Sequence, residues 1–358
     1  MKLYYPKSHY DNAQRGLLFP LLKPFIKGDN FTDQQRIAVY GVSKQDFKFT
    51  DILEEADIAI LPMAWNYYVK TATEQKAIDF VKQCDKSQKK VLAYNAGDFG
   101  IKTPRFKNLI FFRLGGYRSQ FSAHEHTLPP FITDPLKKHF DSDRIFERSY
   151  QNQPLIGFCG QANGSRLNAI KELVTTAGRN LKTRVGHSKE EPQNIISTSF
   201  LRASILKKLQ QSAMVKTSFI LRKKYRAGVK HNKDKHKTTL AFYNNINQSD
   251  FIVCVRGAGN FSVRFYETLA MGRIPVFINT DCSLPLDEVI PWKEHVVWVE
   301  YRERHQVAQK VTEFHQALSE TDFIALQQAN RNLWKDYLTL GGFFKTFLQH
   351  TLQPNKRL

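Results

Sequence analysis

Short apolar runs alternate with helix-like segments along most of the chain, and this alternation limits the possible folds more than any other feature. In the first half, strand-like runs lie at 56–61, 90–94 and 108–113, and residues 73–86 have the apolar spacing of a helix. Parallel strands need a long crossover connection, so repeated strand–helix–strand order predicts a parallel sheet covered by helices. We therefore expect the first half to be an α/β domain.

A second α/β series follows a break at residues 127–135, which carries three prolines and no clear periodicity. Strand-like runs at 155–160 and 250–255 are each followed by helix-like segments, whereas the basic stretch between them suggests one or two helices. The sequence predicts two domains, at residues 1–140 and 141–358. The cleft between such domains, at the carboxyl ends of the strands, is the expected ligand site.

Composition is that of a globular chain in a reducing compartment. Of the 358 residues, 42% are hydrophobic, which is ample for two cores. The four cysteines form no CxxC pair, which argues against a zinc site or a disulfide framework. The N-terminus lacks a signal-peptide pattern, and no apolar run approaches membrane-spanning length. We expect a cytoplasmic protein, with peripheral contact to an anionic inner-membrane surface as an open option.

The net charge of +20 indicates an anionic partner without saying which. Residues 202–237 hold twelve Lys or Arg and a single acid, so they are either a solvated segment or a surface for phosphate or membrane. Residues 15–27 are mostly apolar, with Lys and Arg residues spaced among them. They favour an ordinary first helix over a membrane-dipping segment.

Residues 250–278 read as strand, glycine loop, helix and strand, with the loop at the helix N-terminus. Glycines 257 and 259 would let the backbone approach an anion, which the helix dipole also favours. Arg256 could add a bidentate contact to phosphate oxygens, and Ser262 could cap the helix or donate to an oxygen.

Arg264 and Glu267 are three residues apart in this helix and share one face. The carboxylate could accept from the paired hydroxyls of a ribose. A tight turn followed by a surface ion pair would explain the same residues, and the GxGxxG fingerprint of dinucleotide-binding folds is missing.

The residues from 256 to 278 (RGAGNFSVRFYETLAMGRIPVFI) resemble the signature of the exostosin-like glycosyltransferases, and the similarity continues through 284–292 and 296–300. In that family an Arg–Gly loop, a serine, an Arg-x-x-Glu helix and a Gly-x-x-Pro-Val segment occur in this order. The match spans about fifty residues, and the chain resembles the short bacterial members, which build surface polysaccharide in the cytoplasm.

The resemblance implies a GT-B-type α/β fold, in which two Rossmann-like domains face each other across a cleft and C-terminal helices could cross back. It also implies an inverting transfer of sugar from a nucleotide-sugar held mainly by the second domain. Arg256 and Ser262 would then contact the donor diphosphate, with Arg264 assisting and Glu267 holding the ribose. The implied donor loop also includes Gly257, Gly259 and Asn260.

Donor binding is expected to need no metal. Some family members carry an Asp-x-Asp metal motif, but Asp141-Ser-Asp143 follows a basic, helix-like stretch and is interpreted as a chance match. Arginines must then stabilise the departing pyrophosphate. Arg166, Arg222 and Arg226 are candidates for this role, with solvated positions as the alternative.

The catalytic base is expected in the first domain. Asp98 follows a strand in Tyr94-Asn-Ala-Gly-Asp and could deprotonate an acceptor hydroxyl, although a turn-capping role fits it as well. Glu125, within His124-Glu-His126, is the second candidate. His-x-His also suggests a metal, but no third ligand is evident.

The sequence thus favours a glycosyltransferase whose partners are a nucleotide-sugar and a glycan, with no other cofactor. A UDP-sugar is the first choice of donor and a GDP-sugar the second. No nucleic acid is expected as a partner, although the +20 charge keeps a nucleic-acid-binding protein open as an alternative. A non-catalytic sugar-nucleotide-binding relative is the other alternative.

Overall fold

The computed structural model describes residues 1–28, 30–222, 228 and 232–352, and it contains two sheets in which every pairing between strands is parallel. The first sheet has the order β2-β1-β3-β4-β5-β6. Its strands are β1 Lys2–Tyr4, β2 Lys48–Phe49, β3 Ile58–Ile60, β4 Val91–Tyr94, β5 Leu109–Arg113 and β6 Glu125–Thr127. The α/β class predicted for this half is confirmed.

Amphipathic helices cover the first sheet because their apolar residues recur at helical spacing. In α3 the buried residues are Ala77, Phe80, Val81 and Cys84, which is one face of a helix. The other helices of this region are α1 Asp33–Tyr40, α2 Trp65–Lys70 and α4 Pro135–Phe140, and α3 spans Glu74–Lys86. No helix in the described ranges is both long and apolar enough to cross a membrane.

The apolar segment at residues 15–27 packs into the first domain. Leu18, Phe19, Leu21 and Leu22 are fully buried in the first core, within short 3-10 turns rather than an α-helix. The idea that this segment dips into a membrane is therefore wrong.

The second sheet has the order β11-β10-β9-β7-β8. Its strands are β7 Leu155–Gln161, β8 Lys216–Arg222, β9 Phe251–Cys254, β10 Ile274–Asn279 and β11 Val297–Glu300. The helices are α5 Arg166–Arg184, α6 Thr198–Gln210, α7 Asn232–Asn247, α8 Val263–Ala270, α9 Trp292–His295, α10 Val307–Gln316, α11 Glu320–Leu333 and α12 Leu340–Leu352.

The basic stretch at residues 202–237 meets the helical expectation at its two ends, in α6 up to Gln210 and in α7 from Asn232, and departs from it at residues 216–222. Residues 216–222 form β8, which pairs with β7 along its whole length, from Leu155 beside Lys216 to Gln161 beside Arg222. Thr217, Phe219 and Ile220 favour an extended chain. Because β8 is an edge strand, it tolerates the basic residues that made the stretch look helical and solvated.

The C-terminal helix crosses back to the first domain, as the resemblance predicts. Phe343, Phe344, Phe347 and Leu348 of α12 are buried in the first core, and the rings of Phe347 and Phe112 lie 4.9 Å apart. The two sheets are therefore tied by a helix that belongs in sequence to the second. The domain boundary near residue 140 stays a prediction.

Candidate donor site

The second sheet changes winding direction at β7, which lies between β8 and β9. In parallel α/β sheets the crevice at such a switch point, outside the carboxyl ends of the strands, is the usual ligand site. Helices α5 and α8 begin just after β7 and β9, so their N-termini lie at this edge. Neither N-cap serine, Ser165 or Ser262, makes a side-chain capping bond. An anion could bind the backbone N–H groups of these first turns.

Three arginines lie around the end of β7, and we call them the arginine cluster: Arg202, Arg222 and Arg264. The Arg264 guanidinium stacks 4.3 Å from the Phe158 ring centre, and its Nη2 donates to the Cys159 carbonyl oxygen at 3.0 Å. The Nε of Arg264 is buried without a hydrogen-bond partner. Arg202 donates to the carbonyl oxygen of Gln161 at 2.7 Å, and Arg222 donates to that of Thr238 at 2.7 Å.

The cluster concentrates positive charge at the end of β7. None of the ion pairs among the described residues includes a cluster arginine. Burial, and then the charge of Arg264, lower the pKa of Arg202 to about 10. Burial also lowers the pKa of Arg264, an effect that nearby Glu267 opposes and Arg222 adds to. Crowded guanidinium groups of this kind favour a bound anion.

Glu267 lies one helical turn beyond Arg264 in α8, and its carboxylate is positioned by an aromatic neighbour. The Tyr243 hydroxyl donates to Glu267 Oε1 at 3.0 Å. The Tyr243 ring stacks on His139, with ring centres 4.5 Å apart. Burial, and then the charges of Lys138 and His236, lower the pKa of His139, which favours the neutral imidazole. A carboxylate and a stacked ring pair thus lie beside the cationic cluster.

Arg256, the first arginine of the motif, lies in a contact between the domains. It is only 3% exposed, and Nη1 donates to the Tyr117 hydroxyl at 2.9 Å. Nη2 donates to the carbonyl oxygen of Ala258 at 3.1 Å and to Gln193 Oε1 at 3.4 Å. Its hydrogen bonds therefore link the second domain to Tyr117 in the first.

Gly259 and Asn260 of the motif loop serve the same contact. A Cβ at Gly259 would lie 2.2 Å from the carbonyl oxygen of Asp98, so only glycine lets these backbones meet. Across the contact, a Cβ at Gly115 would lie 2.8 Å from the Phe261 ring. Asn260 Nδ2 donates to the carbonyl oxygens of Gly116, Thr280 and Asp281 at 2.9–3.0 Å. We call residues 256–261 the joint loop.

The remaining donor candidates are divided between the crevice and other positions. Arg166 is exposed at the first position of α5, and Ser262 is the N-cap of α8, so both lie at the crevice edge. Gly257 donates to the Phe261 carbonyl oxygen at 2.9 Å within the joint loop. Arg226 lies outside the described residues.

The two candidate bases have different surroundings. Asp98 is exposed in the loop after β4, directly against Gly259 of the second domain. Glu125 is engaged by the buried Arg113 at 2.9 Å, and the Ser122 backbone N–H donates to its other oxygen at 3.0 Å. Arg113 also pairs with Glu191. The structure therefore gives Glu125 a bridging role and leaves the Asp98 side chain facing solvent.

The Asp-x-Asp letters at 141–143 have local structural roles. Asp141 is the left-handed C-cap of α4, and Asp143 pairs with Lys137 at 2.9 Å. Within the part of the chain that the structure describes, no group of three His, Cys, Asp or Glu side chains could hold a metal.

Sequence reasoning missed Arg202, Tyr243 and His139. An arginine can bind an anion, but Arg202 is one of twelve Lys or Arg in residues 202–237, so its residue type does not single it out. Tyr243 and His139 lie on α7 and α4, and only the packing of these helices brings them beside Glu267. No local pattern could have found that pair.

Fold and site together define a class: two parallel α/β domains with a cationic crevice at the carboxyl ends of the second sheet. Residues 171–314 match the Exostosin GT47 domain. This region contains most of the second sheet, Glu267 and all three cluster arginines. The predicted resemblance to the exostosin-like glycosyltransferases is therefore confirmed over residues 171–314.

Curated relatives match over short stretches. Exostosin-1 of Drosophila melanogaster is 32% identical over 92 residues, which is 26% of this chain and 12% of that protein. A probable beta-1,4-xylosyltransferase of Arabidopsis thaliana, IRX10, is 38% identical over 64 residues, which is 18% of this chain and 15% of that protein. The matches thus span about an eighth to a seventh of these relatives' lengths.

Among solved structures, TarM is similar with a TM-score of 0.35 and 8% identity, covering 73% of this chain and 50% of that chain. WaaG, a glycosyltransferase involved in lipopolysaccharide biosynthesis, has a TM-score of 0.31 and 9% identity, covering 83% and 75%. The GT-B-type fold predicted for this chain is confirmed, and its own strand order and paired parallel sheets carry that assignment.

Proposed function

We propose that this chain is an inverting glycosyltransferase that moves a sugar from a nucleotide-sugar to a glycan of a surface polysaccharide. The observation that carries the proposal is the arginine cluster. Three guanidinium groups, none of them in an ion pair with a residue that the structure describes, lie where an α/β sheet presents its ligand. A diphosphate would supply the missing negative charge.

The second domain would hold the donor. Its diphosphate would lie against the arginine cluster and the first turns of α5 and α8, and its ribose hydroxyls would donate to Glu267. The stacked His139 and Tyr243 rings would border the nucleoside. We favour a UDP-sugar over a GDP-sugar, with no further cofactor. Because the arginines can neutralise the departing diphosphate, donor binding would not need a metal.

The first domain would supply the base. Asp98 would accept the proton of an acceptor hydroxyl while that oxygen forms a bond to the anomeric carbon of the sugar. The bond from that carbon to the donor phosphate breaks, and its electron pair leaves with the nucleoside diphosphate. Attack opposite the leaving group inverts the anomeric centre. Glu125 is the second candidate, although Arg113 already engages its carboxylate.

Nucleotide binding tests the proposal most directly. The whole chain would be unfolded thermally with UDP, GDP or CMP, each with and without EDTA. A nucleotide present at a hundred times its Kd should add about 2.7 kcal/mol to the free energy of unfolding. We expect UDP to give the largest stabilisation, equally in EDTA. If no nucleotide stabilises the chain, the donor site is wrong.

Measuring turnover tests which residue is the catalytic base. Release of UDP from a UDP-sugar should fall by about a hundredfold or more in Asp98→Asn, with unchanged UDP affinity. Glu125→Gln is the matched comparison and should instead lower stability through the loss of the Arg113 pair. Normal turnover in Asp98→Asn together with loss in Glu125→Gln would move the base to Glu125.

A further inference from the structure

Helix α5 faces its apolar side toward solvent. Leu167, Ile170, Val174 and Leu181 recur at helical spacing and are 74%, 55%, 65% and 60% exposed, and Val185 at the C-cap is 57% exposed. These five residues, here called the α5 stripe, lie on one side of a helix about 28 Å long. An apolar stripe of this length left open on one helix indicates an interaction surface.

The opposite side of α5, which packs on the domain, is polar. Asn180 and Thr183 are its buried residues, and Asn180 exchanges hydrogen bonds with the Gln193 backbone at 2.7 and 2.8 Å. Glu172 accepts from the Ser197 hydroxyl at 2.7 Å and also bonds to Ser199. A helix that serves only its own core has the reverse arrangement, with the apolar side inward. Core packing therefore does not explain the α5 stripe.

Charge indicates what covers the α5 stripe. Exposed cations flank it on both sides, with Lys171 and Lys182 along one side and Arg166 and Arg184 along the other. Glu172 is the single acid of α5, and hydrogen bonds to two serines hold it on the inner side. Two copies of this chain joined through α5 would bring like charges together. An anionic surface complements both the apolar stripe and its flanks.

We propose that α5 docks this protein on an anionic membrane surface, lying in the plane of the headgroups with the α5 stripe inserted. Apolar side chains on one face and Lys or Arg beside them are the features of helices that bind this interface. The proposal does not depend on the glycosyltransferase assignment: it uses no arginine of the cluster, and the only donor candidate that it shares is Arg166, at the first position of α5. It also differs from the segment at 15–27, which is buried in the first core.

The test is co-sedimentation of the full chain with two kinds of vesicle, pure phosphatidylcholine and phosphatidylcholine mixed with phosphatidylglycerol. We expect binding to the mixed vesicles that weakens with salt and is at least about tenfold weaker on pure phosphatidylcholine. The combined variant Ile170→Ser, Val174→Ser and Leu181→Ser should bind the mixed vesicles at least about tenfold more weakly than the wild type. Equal binding by this variant would overturn the proposal.

A matched control uses exposed apolar residues elsewhere. Ile37 and Val39 of α1 are 52% and 63% exposed, so Ile37→Ser with Val39→Ser removes similar surface and should leave vesicle binding unchanged. Stabilisation by UDP should be the same in the α5 variant and in the wild type, which separates this proposal from the donor site. A wild-type dimer that only the α5 variant abolishes would assign the stripe to a second copy instead.

A direct measurement tests the proposal even if the triple serine variant of α5 folds poorly. All four native cysteines are buried, so Val174→Cys would give a single exposed thiol for an environment-sensitive fluorophore. Its emission should shift to the blue when mixed vesicles are added. An unchanged spectrum from protein that co-sediments would place the contact away from α5 and overturn the proposal.

Discussion

Arg256 and Arg264 come from one short motif, yet their guanidinium groups lie in different surroundings. Arg256 donates to a tyrosine hydroxyl, an amide oxygen and a carbonyl oxygen, all supplied by the protein. Arg264 stacks on Phe158, donates to one carbonyl oxygen and shares its site with two more arginines. The Nε of each is buried without a hydrogen-bond partner, so the two differ in that Arg256 has more hydrogen bonds to the protein and Arg264 lies among other cations.

This difference indicates that Arg256 and Arg264, which belong to one sequence motif, have different functions. The buried hydrogen bond from Arg256 to Tyr117 joins the two domains, and Arg256 makes two more hydrogen bonds within the second, so removing it should act on folding. Crowding at Arg264 costs folding energy, which a bound anion would relieve, so removing it should act on binding. The joint loop and the arginine cluster can therefore be tested independently.

The largest effect on stability is expected from Arg256→Met. Methionine fills part of the space but leaves Tyr117 and Gln193 without their donor, which should lower the free energy of unfolding by about 3 kcal/mol. Urea unfolding at pH 7 measures this loss, with exposed Arg144→Met as the control. Nucleotide affinity of the folded fraction should stay within about threefold of the wild type. A stable variant that loses nucleotide binding would return Arg256 to the donor site.

Arg264→Met should have the next largest effect, and on binding instead of folding. We expect the Kd for UDP to rise about a hundredfold, which is about 2.7 kcal/mol, through the loss of charge-assisted hydrogen bonds. Thermal stability without ligand should be equal to the wild type or higher, because a crowded cation is gone. Isothermal titration and thermal unfolding measure the two quantities.

Arg264→Lys sharpens this result, because it keeps the charge and loses the planar fork. An intermediate UDP affinity is expected for this variant. Equal affinity in wild type, Arg264→Lys and Arg264→Met would show that the cluster does not bind the donor.

Two glycines of the joint loop make a matched pair with a smaller expected effect. An alanine at Gly259 would place its Cβ 2.2 Å from the Asp98 carbonyl oxygen, and we expect about 2 kcal/mol of lost stability as the loops move apart. At Gly257 the nearest atom, the Phe261 carbonyl oxygen, would lie 3.8 Å away, so Gly257→Ala should cost under about 0.5 kcal/mol. Equal losses in urea unfolding would mean that the close approach at Gly259 does not hold the domains.

Local periodicity was enough to predict the α/β class, because the spacing of apolar residues that are close in sequence indicates where strands and helices alternate. It failed at β8, where an edge strand carries basic residues and lacks the apolar run of a central strand. The return of α12 to the first core followed from the resemblance, since no local pattern reports where a terminal helix packs.

The candidate site was predictable where spacing within one element decides it. Arg264 and Glu267 lie together because they share a face of α8. The surroundings of Arg256 depend on Tyr117, which is far away in sequence, and those of Gly259 depend on Asp98. Such contacts exist only after the two domains meet, so a glycine that admits a phosphate and one that admits another backbone look alike in sequence.

The smallest expected effect belongs to an exposed bond at the same contact. The Ser119 hydroxyl donates to Asp281 Oδ2 at 2.5 Å, and the Ser119 backbone N–H donates to Oδ1 at 3.2 Å. Because water competes for both groups, Ser119→Ala should lower the free energy of unfolding by only about 0.5 kcal/mol and leave UDP affinity unchanged. If urea unfolding shows a loss as large as that of Arg256→Met, exposed bonds would hold the domains as firmly as buried ones. Burial would then not explain the different effects that we expect from Arg256→Met and Arg264→Met.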